Sequence, residues 1–369
     1  MTFALVPEQR DLLARARDTA HELKQVAASG EPGRVNRSLV AALADHGLLP
    51  RLFPDDGPVS ALTLCLLREA IAYESPEAET ALALQGLGSY PILQSGSDEL
   101  VKRWIPEVAA GRAVAAFALT EPGAGSDAAA LALRAERDGD GYRLTGEKKW
   151  ISNAPDADVY VVFARTGEDG PRGVSAFVVE GGSHGLTGEP LDLVAPHAIG
   201  TLVFDGVRVD AGAVLGEPGR GFQVAMRTLD LFRPSVGAFA VGMAQAALDA
   251  SVAHARARHA FGRPLKEFQA VSHRIADMAT KLDAARLLVY RAAAAYDSGE
   301  PVTSASAMAK LYATEVAQEI VDDAIQIHGA QALEKGHLLE GLYREVRATR
   351  IYEGTSEIQR NIVARSLFD

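Results

Sequence analysis

The period of the hydrophobic pattern changes twice along this chain, and this change constrains the fold more than any other feature. Residues 1–112 repeat their apolar side chains at helical spacing. Residues 113–215 instead hold short runs rich in β-branched and aromatic residues, such as "VYVVFAR" and "GVSAFVVE", separated by turns that contain glycine. Helical spacing returns in residues 216–369. The pattern predicts an α+β protein with an N-terminal helical domain (1–112), a middle antiparallel β-barrel or sandwich (113–215) and a C-terminal bundle of four or five long helices (216–369).

The helical zones also carry signals for where individual helices begin. Pro7 is placed to open a first helix, and Ser75 and Ser97 are placed to cap two later ones. Pro234 lies inside the first long C-terminal segment, where a proline is expected to kink or restart the helix. The predicted C-terminal helices are 221–257, 268–298, 302–328, 337–349 and 355–367.

Composition excludes several classes of function. The 369 residues are 48% hydrophobic, and their net charge of −11 argues against a nucleic-acid-binding surface. A single cysteine, Cys65, excludes an internal disulfide and a multi-cysteine metal site, which fits a reducing cytoplasm. The N-terminus has no signal-peptide pattern, and no apolar run is expected to span a membrane. No HExxH motif or other metal site is evident.

The stretch "RIYEGTSEIQR" (350–360) places Glu353 on a bend near the end of the chain. In one interpretation Thr355 or Ser356 caps the following helix, and Glu357 is favourable in its first turn. In the other, Glu353 is a base that points into a cavity. The local sequence by itself favours the first interpretation.

Two segments of the middle zone are candidate ligand sites. "LTEPGAGSD" (119–127) places Thr120 and Ser126 in a loop whose glycines let backbone N–H groups approach a ligand. "GEKKWISN" (146–153) places Trp150 and Ser152 two residues apart, on one face of a regular strand. Taken alone, the first is more typical of an ordinary loop, and the second of an aromatic side chain that covers the end of a barrel.

A third candidate, "RARHAFGRPLKEFQ" (256–269), contains Arg258, Phe261 and Gln269. These side chains suit a charged, aromatic ligand such as a dinucleotide. As isolated residues they are more typical of surface charges and a core phenylalanine.

Together with "DAIQIHG" and "YREVRATRIYEGTSEIQRNIVAR", these segments occur in the order found in the acyl-CoA dehydrogenase family, which the chain resembles over nearly its whole length. The resemblance implies that family's helical, β and four-helix-bundle domains. It implies an FAD flavoenzyme that oxidises an acyl thioester across its Cα–Cβ bond and passes electrons to an electron-transfer flavoprotein. It also implies a homotetramer, or in some cases a dimer, with flavin sites near subunit boundaries.

The resemblance further assigns roles to individual residues. Glu353 matches the catalytic base, which reverses the interpretation of the bend. Thr120 would bind the pyrimidine edge of the flavin, Trp150 would lie against its ring, and the Ser152 hydroxyl would reach toward N5. The other matches to FAD contacts are Arg258, Phe261, Gln269, Gln326, Gly329, Thr355 and Glu357, and the matches to substrate contacts are Ser126, Asp230 and Arg233.

Three alternatives remain open at this level. The acyl group can be carried by an acyl-carrier protein rather than by CoA, since both present a phosphopantetheine thioester. The enzyme can be an oxidase that returns its electrons to O₂. A non-catalytic protein on the same scaffold is the third alternative, and the retained Glu353 argues against it.

Overall fold

The computed structural model describes residues 4–54 and 58–368. Its helices in chain order are α1 (Pro7–Glu22), α2 (Lys24–Ala28), α3 (Arg37–Asp45), α4 (Ala61–Glu74), α5 (Pro76–Ser95), α6 (Asp98–Ala109), α7 (Gly221–Ala257), α8 (Gln269–Asp297), α9 (Thr303–His328), α10 (Leu338–Thr349) and α11 (Ser356–Phe368). Its strands are β1 (Ala115–Ala118), β2 (Arg134–Asp138), β3 (Gly141–Ser152), β4 (Val159–Arg165), β5 (Val174–Glu180), β6 (Leu186–Thr187), β7 (Ile199–Val209), β8 (Val214–Leu215), β9 (His259–Ala260) and β10 (Arg263–Pro264). The helical, β and helical order predicted from the period of the pattern is confirmed.

The helix starts follow the capping signals. Pro7 is the first residue of α1. The Ser75 hydroxyl accepts a hydrogen bond from the Ala78 N–H at 3.2 Å, and the Ser97 hydroxyl accepts one from the Leu100 N–H at 3.3 Å. Each bond satisfies an N–H that has no partner within its own helix.

Helix α7 departs from two expectations. It runs without interruption through Pro234, so the helix does not restart there, and the alternative of a kink at Pro234 stays a prediction. Among the described residues α7 is also long and apolar enough, by length and composition, to cross a membrane, which the sequence reading did not expect. In its most apolar stretch of 18 residues, 72% is buried inside the protein, as in the core helix of a globular protein. A Cβ on its Gly242 would collide with the Glu69 carbonyl, which explains a small residue where α7 packs against α4.

The middle strands form one eight-stranded sheet, in the order β6-β7-β3-β2-β4-β5-β8 with β1 beside β4. Most neighbours are antiparallel, as expected, but β1 and β4 pair in parallel and β2 meets β4 in parallel at Arg134 and Arg165. Tyr160, Phe177 and Phe204 are among the buried side chains of the core on this sheet. The segment 119–127 directly follows β1 of this sheet, and most of the segment 146–153 lies in β3.

Contacts between Cα atoms divide the chain into two compact units rather than three. One consists of Met1–Glu22, Ser60–Glu79 and Asp230–Asp369, and the other of Leu23–Val59 and Thr80–Leu229. The N-terminal helices are shared between them, with α1 and α4 in the first unit and α3 and α6 in the second. The predicted boundaries at 112 and 215 stay a prediction.

Candidate active site

Glu353 lies on a strained bend between α10 and α11. It has a φ of 54°, and Gly354 follows with a φ of 93°. Glycine adopts such a conformation freely, but a glutamate does so only at a cost of about 1–3 kcal/mol. The Thr355 hydroxyl accepts a hydrogen bond from the Ile358 N–H at 3.4 Å, so the helix-cap interpretation also holds, for Thr355. We call residues 352–355 the Glu353 bend.

Side chains hold the Glu353 bend by its main chain. Arg233 donates from Nε to the Glu353 carbonyl at 3.3 Å, and Lys310 donates from Nζ to the Gly354 carbonyl at 2.8 Å. The Gln359 amide donates to both carbonyls, at 3.2 and 2.9 Å. These donors bind backbone oxygens rather than the carboxylate. The Glu353 Oε2 atom is buried and has no hydrogen-bond partner among the described residues.

Opposing electrostatic effects act on the Glu353 carboxyl. Burial raises its pKa, because a buried carboxylate loses its hydration, and the positive charges of Arg68, Lys310 and Arg233 lower it. Burial also lowers the pKa of Lys310 to about 8. The result is a carboxyl that gives up its proton less readily than an exposed glutamate and holds a proton more strongly once it has taken one.

Asp230 and Arg233 lie together on α7, one turn apart. Their charged groups approach to 3.4 Å, and Thr303 donates a hydrogen bond to the Asp230 carboxylate at 3.2 Å. Burial raises the pKa of Asp230 and lowers that of Arg233. The structure therefore brings Asp230, Arg233 and Glu353 into one group within the first unit.

Sequence reasoning missed several buried charges in this group. Lys310 is fully buried, and Arg68 and Glu79 form a buried ion pair in which Arg68 also donates to the Ser235 hydroxyl at 2.7 Å. A usable signal for Lys310 was its place in "AMAKLYATE", where Ala307, Ala309 and Ala313 are the buried neighbours. A charged residue inside an alanine-rich buried stripe needs a partner in the folded protein.

The 119–127 loop and β3 meet in the second unit. The Lys149 N–H donates to the Thr120 carbonyl at 3.0 Å. Between Lys149 and Ile151 the register of β3 against β7 shifts, so Trp150 is the extra residue of a β-bulge, with a φ of 57°. The expected simple alternation of Trp150 and Ser152 on one strand face is therefore interrupted. Bulges near functional sites re-aim a side chain, and here Trp150 is 47% exposed.

The remaining predicted dinucleotide contacts lie at one end of the first unit. Phe261 forms the turn between β9 and β10 with a φ of 49° and is 96% exposed. Arg258 and Gln269, on either side of this hairpin, are exposed as well. His254 of α7 stacks on His328 of α9 with ring centroids 4.2 Å apart, so the end of α7 adjoins the end of α9. That contact brings Arg258 close to the part of the chain that carries the exposed Gln326 and Gly329.

Two further predicted contacts open α11. Thr355 is partly buried and Glu357 is exposed in the first turn. Hydrogen bonds from the backbone N–H of Glu357 and from Thr355 hold the pKa of Glu357 below its usual value. A carboxylate is stabilised at this end of a helix by unpaired N–H groups.

These features fit FAD, a large ligand with a flat ring system and a charged pyrophosphate. Trp150 is half-exposed and Phe261 is almost fully exposed, and both have strained backbone. Such strain and such exposed apolar surface lower the stability of the folded protein unless a ligand covers these side chains. The glycines of the 119–127 loop leave open space, since a Cβ at Gly123 or Gly125 would meet no atom within 4 Å. Arg258 supplies an exposed cation of the kind that binds phosphate. Among the described residues there is no cluster of three or more side chains suited to a metal ion.

Comparison with known proteins identifies the family of this chain. The family descriptions "Acyl-CoA dehydrogenase, N-terminal domain", "middle domain" and "C-terminal domain" match residues 6–112, 116–207 and 219–368. The chain is 41% identical to the short-chain specific acyl-CoA dehydrogenase of Bos taurus mitochondria over 375 residues, which covers 98% of this chain and 90% of the relative. The chain belongs to the acyl-CoA dehydrogenase family, whose members are FAD-dependent oxidoreductases that form α,β-unsaturated acyl thioesters.

Two solved structures are closely similar over their whole length. Butyryl-CoA dehydrogenase from Megasphaera elsdenii superposes with a TM-score of 0.94 at 34% identity, and each chain covers 100% of the other. A chain from a study of the electron transferring flavoprotein of Acidaminococcus fermentans superposes with a TM-score of 0.93 at 35% identity, covering 100% of this chain and 99% of that one.

Proposed function

We propose that this chain dehydrogenates an acyl-CoA thioester with Glu353 as the general base. The observation that carries the proposal is the buried Glu353 Oε2 atom, which lacks a partner on a bend that four hydrogen bonds hold by its backbone. A carboxylate kept only for stability is normally hydrogen-bonded when it is buried. Strain at Glu353 together with an unsatisfied oxygen is typical of a functional site.

The base has the properties that the reaction needs. A C–H bond beside a thioester is weakly acidic, so its removal requires a base whose pKa lies near the working pH and whose position is fixed. Burial moves the pKa of Glu353 in that direction. Among the described residues the backbone N–H of Glu353 donates no hydrogen bond. It is therefore free to donate one to the thioester oxygen as negative charge develops there.

FAD supplies the acceptor for the hydride that leaves the β-carbon. The residues that would hold it are Thr120, Trp150, Ser152, Arg258, Phe261, Gln269, Gln326, Gly329, Thr355 and Glu357. Their part is to bind and orient the cofactor, while Glu353 takes the proton.

The substrate is proposed to be an acyl-CoA, in line with the names of the similar dehydrogenases. Ser126, Asp230 and Arg233 are its predicted contacts. Because Arg233 also donates to the Glu353 carbonyl, we propose that it fixes the Glu353 bend in addition. The electron acceptor is proposed to be an electron-transfer flavoprotein. A homotetramer and a cytoplasmic location stay predictions.

Glu353→Gln tests the assignment of the base. The amide keeps the size and leaves the four backbone contacts in place, so folding and FAD binding should be unchanged. The rate of flavin bleaching, followed by stopped flow after mixing with a short-chain acyl-CoA, should fall by roughly 10²–10⁴-fold or more, the usual worth of a general base.

Glu334→Gln, at an exposed position, is the matched control and should bleach at the wild-type rate. A loss of less than about tenfold in Glu353→Gln, well short of the expected contribution, would assign proton removal to another residue.

A further inference from the structure

A buried ion pair lies beneath the predicted cofactor loop, outside every contact that the family resemblance assigned. Lys148 of β3 is 0% exposed, and its Nζ lies 2.8 Å from the Glu121 Oε1 atom. The same ammonium donates to the Leu119 carbonyl at 2.9 Å. Two of its contacts therefore go to the segment that flanks Thr120.

The Glu121 carboxylate extends this connection to a third segment. It accepts hydrogen bonds from the Ala132 N–H at 2.6 Å and the Leu133 N–H at 3.0 Å, just before β2. The Glu121 backbone also exchanges hydrogen bonds with Ala124 across the glycine-containing turn, at 3.1 and 3.2 Å. Through one carboxylate and one ammonium, the 119–127 loop is fixed to both β3 and the entry to β2.

The strained bulge at Trp150 begins two residues after Lys148. A residue with a bulky side chain keeps a positive φ only where several surrounding contacts fix its backbone. Lys148 is held by the ion pair, and Lys149 donates its N–H to the Thr120 carbonyl at 3.0 Å. The two residues before Trp150 are thus both tied to the loop that carries Thr120.

Stability alone does not account for such a pair. Removing two charges from water costs several kcal/mol per ion, and well-packed apolar residues often replace a buried pair without loss of stability. What the pair does provide is a fixed geometry, because the ammonium must meet both the Leu119 carbonyl and the Glu121 carboxylate.

We propose that the Glu121–Lys148 ion pair is a positioning device for the cofactor site, which holds the Thr120 loop and the Trp150 bulge in the arrangement that FAD requires. The proposal rests on the proposed function in one respect, namely that Thr120 and Trp150 contact FAD. Glu121 and Lys148 are positioning residues that act through these two neighbours.

The test uses the full chain as apoprotein and adds FAD. The variants are Lys148→Met, Glu121→Gln and the double variant, and the controls at exposed positions are Lys102→Met and Glu136→Gln. Three quantities are measured: the dissociation constant of FAD, the melting temperature of the apoprotein, and acrylamide quenching of Trp150 fluorescence. The quenching is measured in a Trp104→Phe background, since Trp104 is the only other tryptophan. Its buried indole N–H has no partner among the described residues, so Trp104→Phe removes no hydrogen bond.

The expected result is a rise of at least tenfold in the FAD dissociation constant for the single and double variants, with altered Trp150 quenching in the apoprotein. The double variant should melt close to the wild type, because it leaves neither charge buried without its partner. The controls should match the wild type in all three measurements.

Three results would overturn the proposal. One is wild-type FAD affinity in the double variant. Another is a weaker FAD affinity that falls in proportion to the melting temperature of the apoprotein, while Trp150 quenching is unchanged. The last is a double variant that fails to fold, which would make the pair a requirement of folding. A wild-type protein that does not bind FAD would instead contradict the proposed function.

Discussion

Lys310→Met probes how a buried cation controls the pKa of Glu353, the proposed base. The lysine is fully buried, its ammonium lies 2.8 Å from the Gly354 carbonyl, and burial lowers its pKa from 10.5 to about 8. Methionine has a similar shape and no charge. It therefore removes one positive charge from the surroundings of Glu353 while it fills the same space.

The effect on stability should be small, because two contributions oppose each other. The lowered pKa corresponds to a penalty on the charged lysine of roughly 3 kcal/mol, at about 1.4 kcal/mol per pKa unit. The substitution removes this penalty but also loses a hydrogen bond from a charged group, worth about 1.5–3 kcal/mol. We expect the free energy of unfolding to change by no more than about 1–2 kcal/mol, a few degrees in melting temperature.

The pH dependence of stability gives a second check. Between pH 8 and 10.5 the unfolded chain holds the Lys310 proton and the folded chain does not, so this residue makes wild-type stability rise with pH across that window. Lys310→Met lacks that contribution. The difference in unfolding free energy between the two proteins should therefore shift in favour of the wild type as the pH is raised from 8 to 10.5.

The effect on catalysis should appear in the pH profile. Lys310 is one of the cations that lower the pKa of Glu353, so its removal should raise that pKa further. The base must be ionised to take a proton. The acidic limb of kcat/KM should thus move to higher pH, measured with a short-chain acyl-CoA and an artificial electron acceptor. Lys102→Met is the matched control, and an acidic limb that stays in place or moves to lower pH would refute the reasoning.

Two further predictions concern the cofactor and the electron acceptor. Arg258→Ala should weaken FAD binding and spare the bleaching rate of flavin-saturated enzyme, since charge-assisted hydrogen bonds to pyrophosphate are strong; an unchanged FAD dissociation constant would contradict the assignment. Turnover should reduce an electron-transfer flavoprotein in preference to O₂, whereas hydrogen peroxide formed in step with substrate consumption would favour the oxidase alternative.

The sequence predicted what depends on local pattern. The ends of α8, α9 and α10 lie within one residue of the expected segments, because amphipathic spacing and flanking turns are properties of neighbouring residues. The restart considered at Pro234 does not occur, for the converse reason. Helix α7 is mostly buried, and packing in the folded protein overrides the local preference of one proline.

The site could be predicted only through resemblance, and the partners of its supporting charges could not be predicted from the sequence. Nothing local distinguishes Glu353 from an ordinary residue before a helix cap. Lys148 and Glu121 lie 27 positions apart, and Lys310 and Gly354 lie 44 apart. Pattern rules assign a charged residue to the surface by default. Its burial depends on a partner that only the tertiary fold supplies.

The strained residues give a structural reason to treat these two regions as functional. Four non-glycine residues of the described chain have a positive φ, namely Trp150, Asn153, Phe261 and Glu353. Three of the four are residues to which the family resemblance independently assigned a role. Strain of this kind lowers stability and survives where function requires the geometry.

The support for two of these residues follows the same physical pattern. A buried lysine near each of them, Lys148 for Trp150 and Lys310 for Glu353, donates to a backbone carbonyl of the segment that must hold its shape. Burial lowers the pKa of both lysines to about 8, so each remains largely charged at neutral pH and loses its charge in mildly alkaline solution. A neutral amine donates a weaker hydrogen bond than an ammonium. The hydrogen bonds that these lysines donate to the 119–127 loop and to the Glu353 bend should therefore be strongest below pH 8.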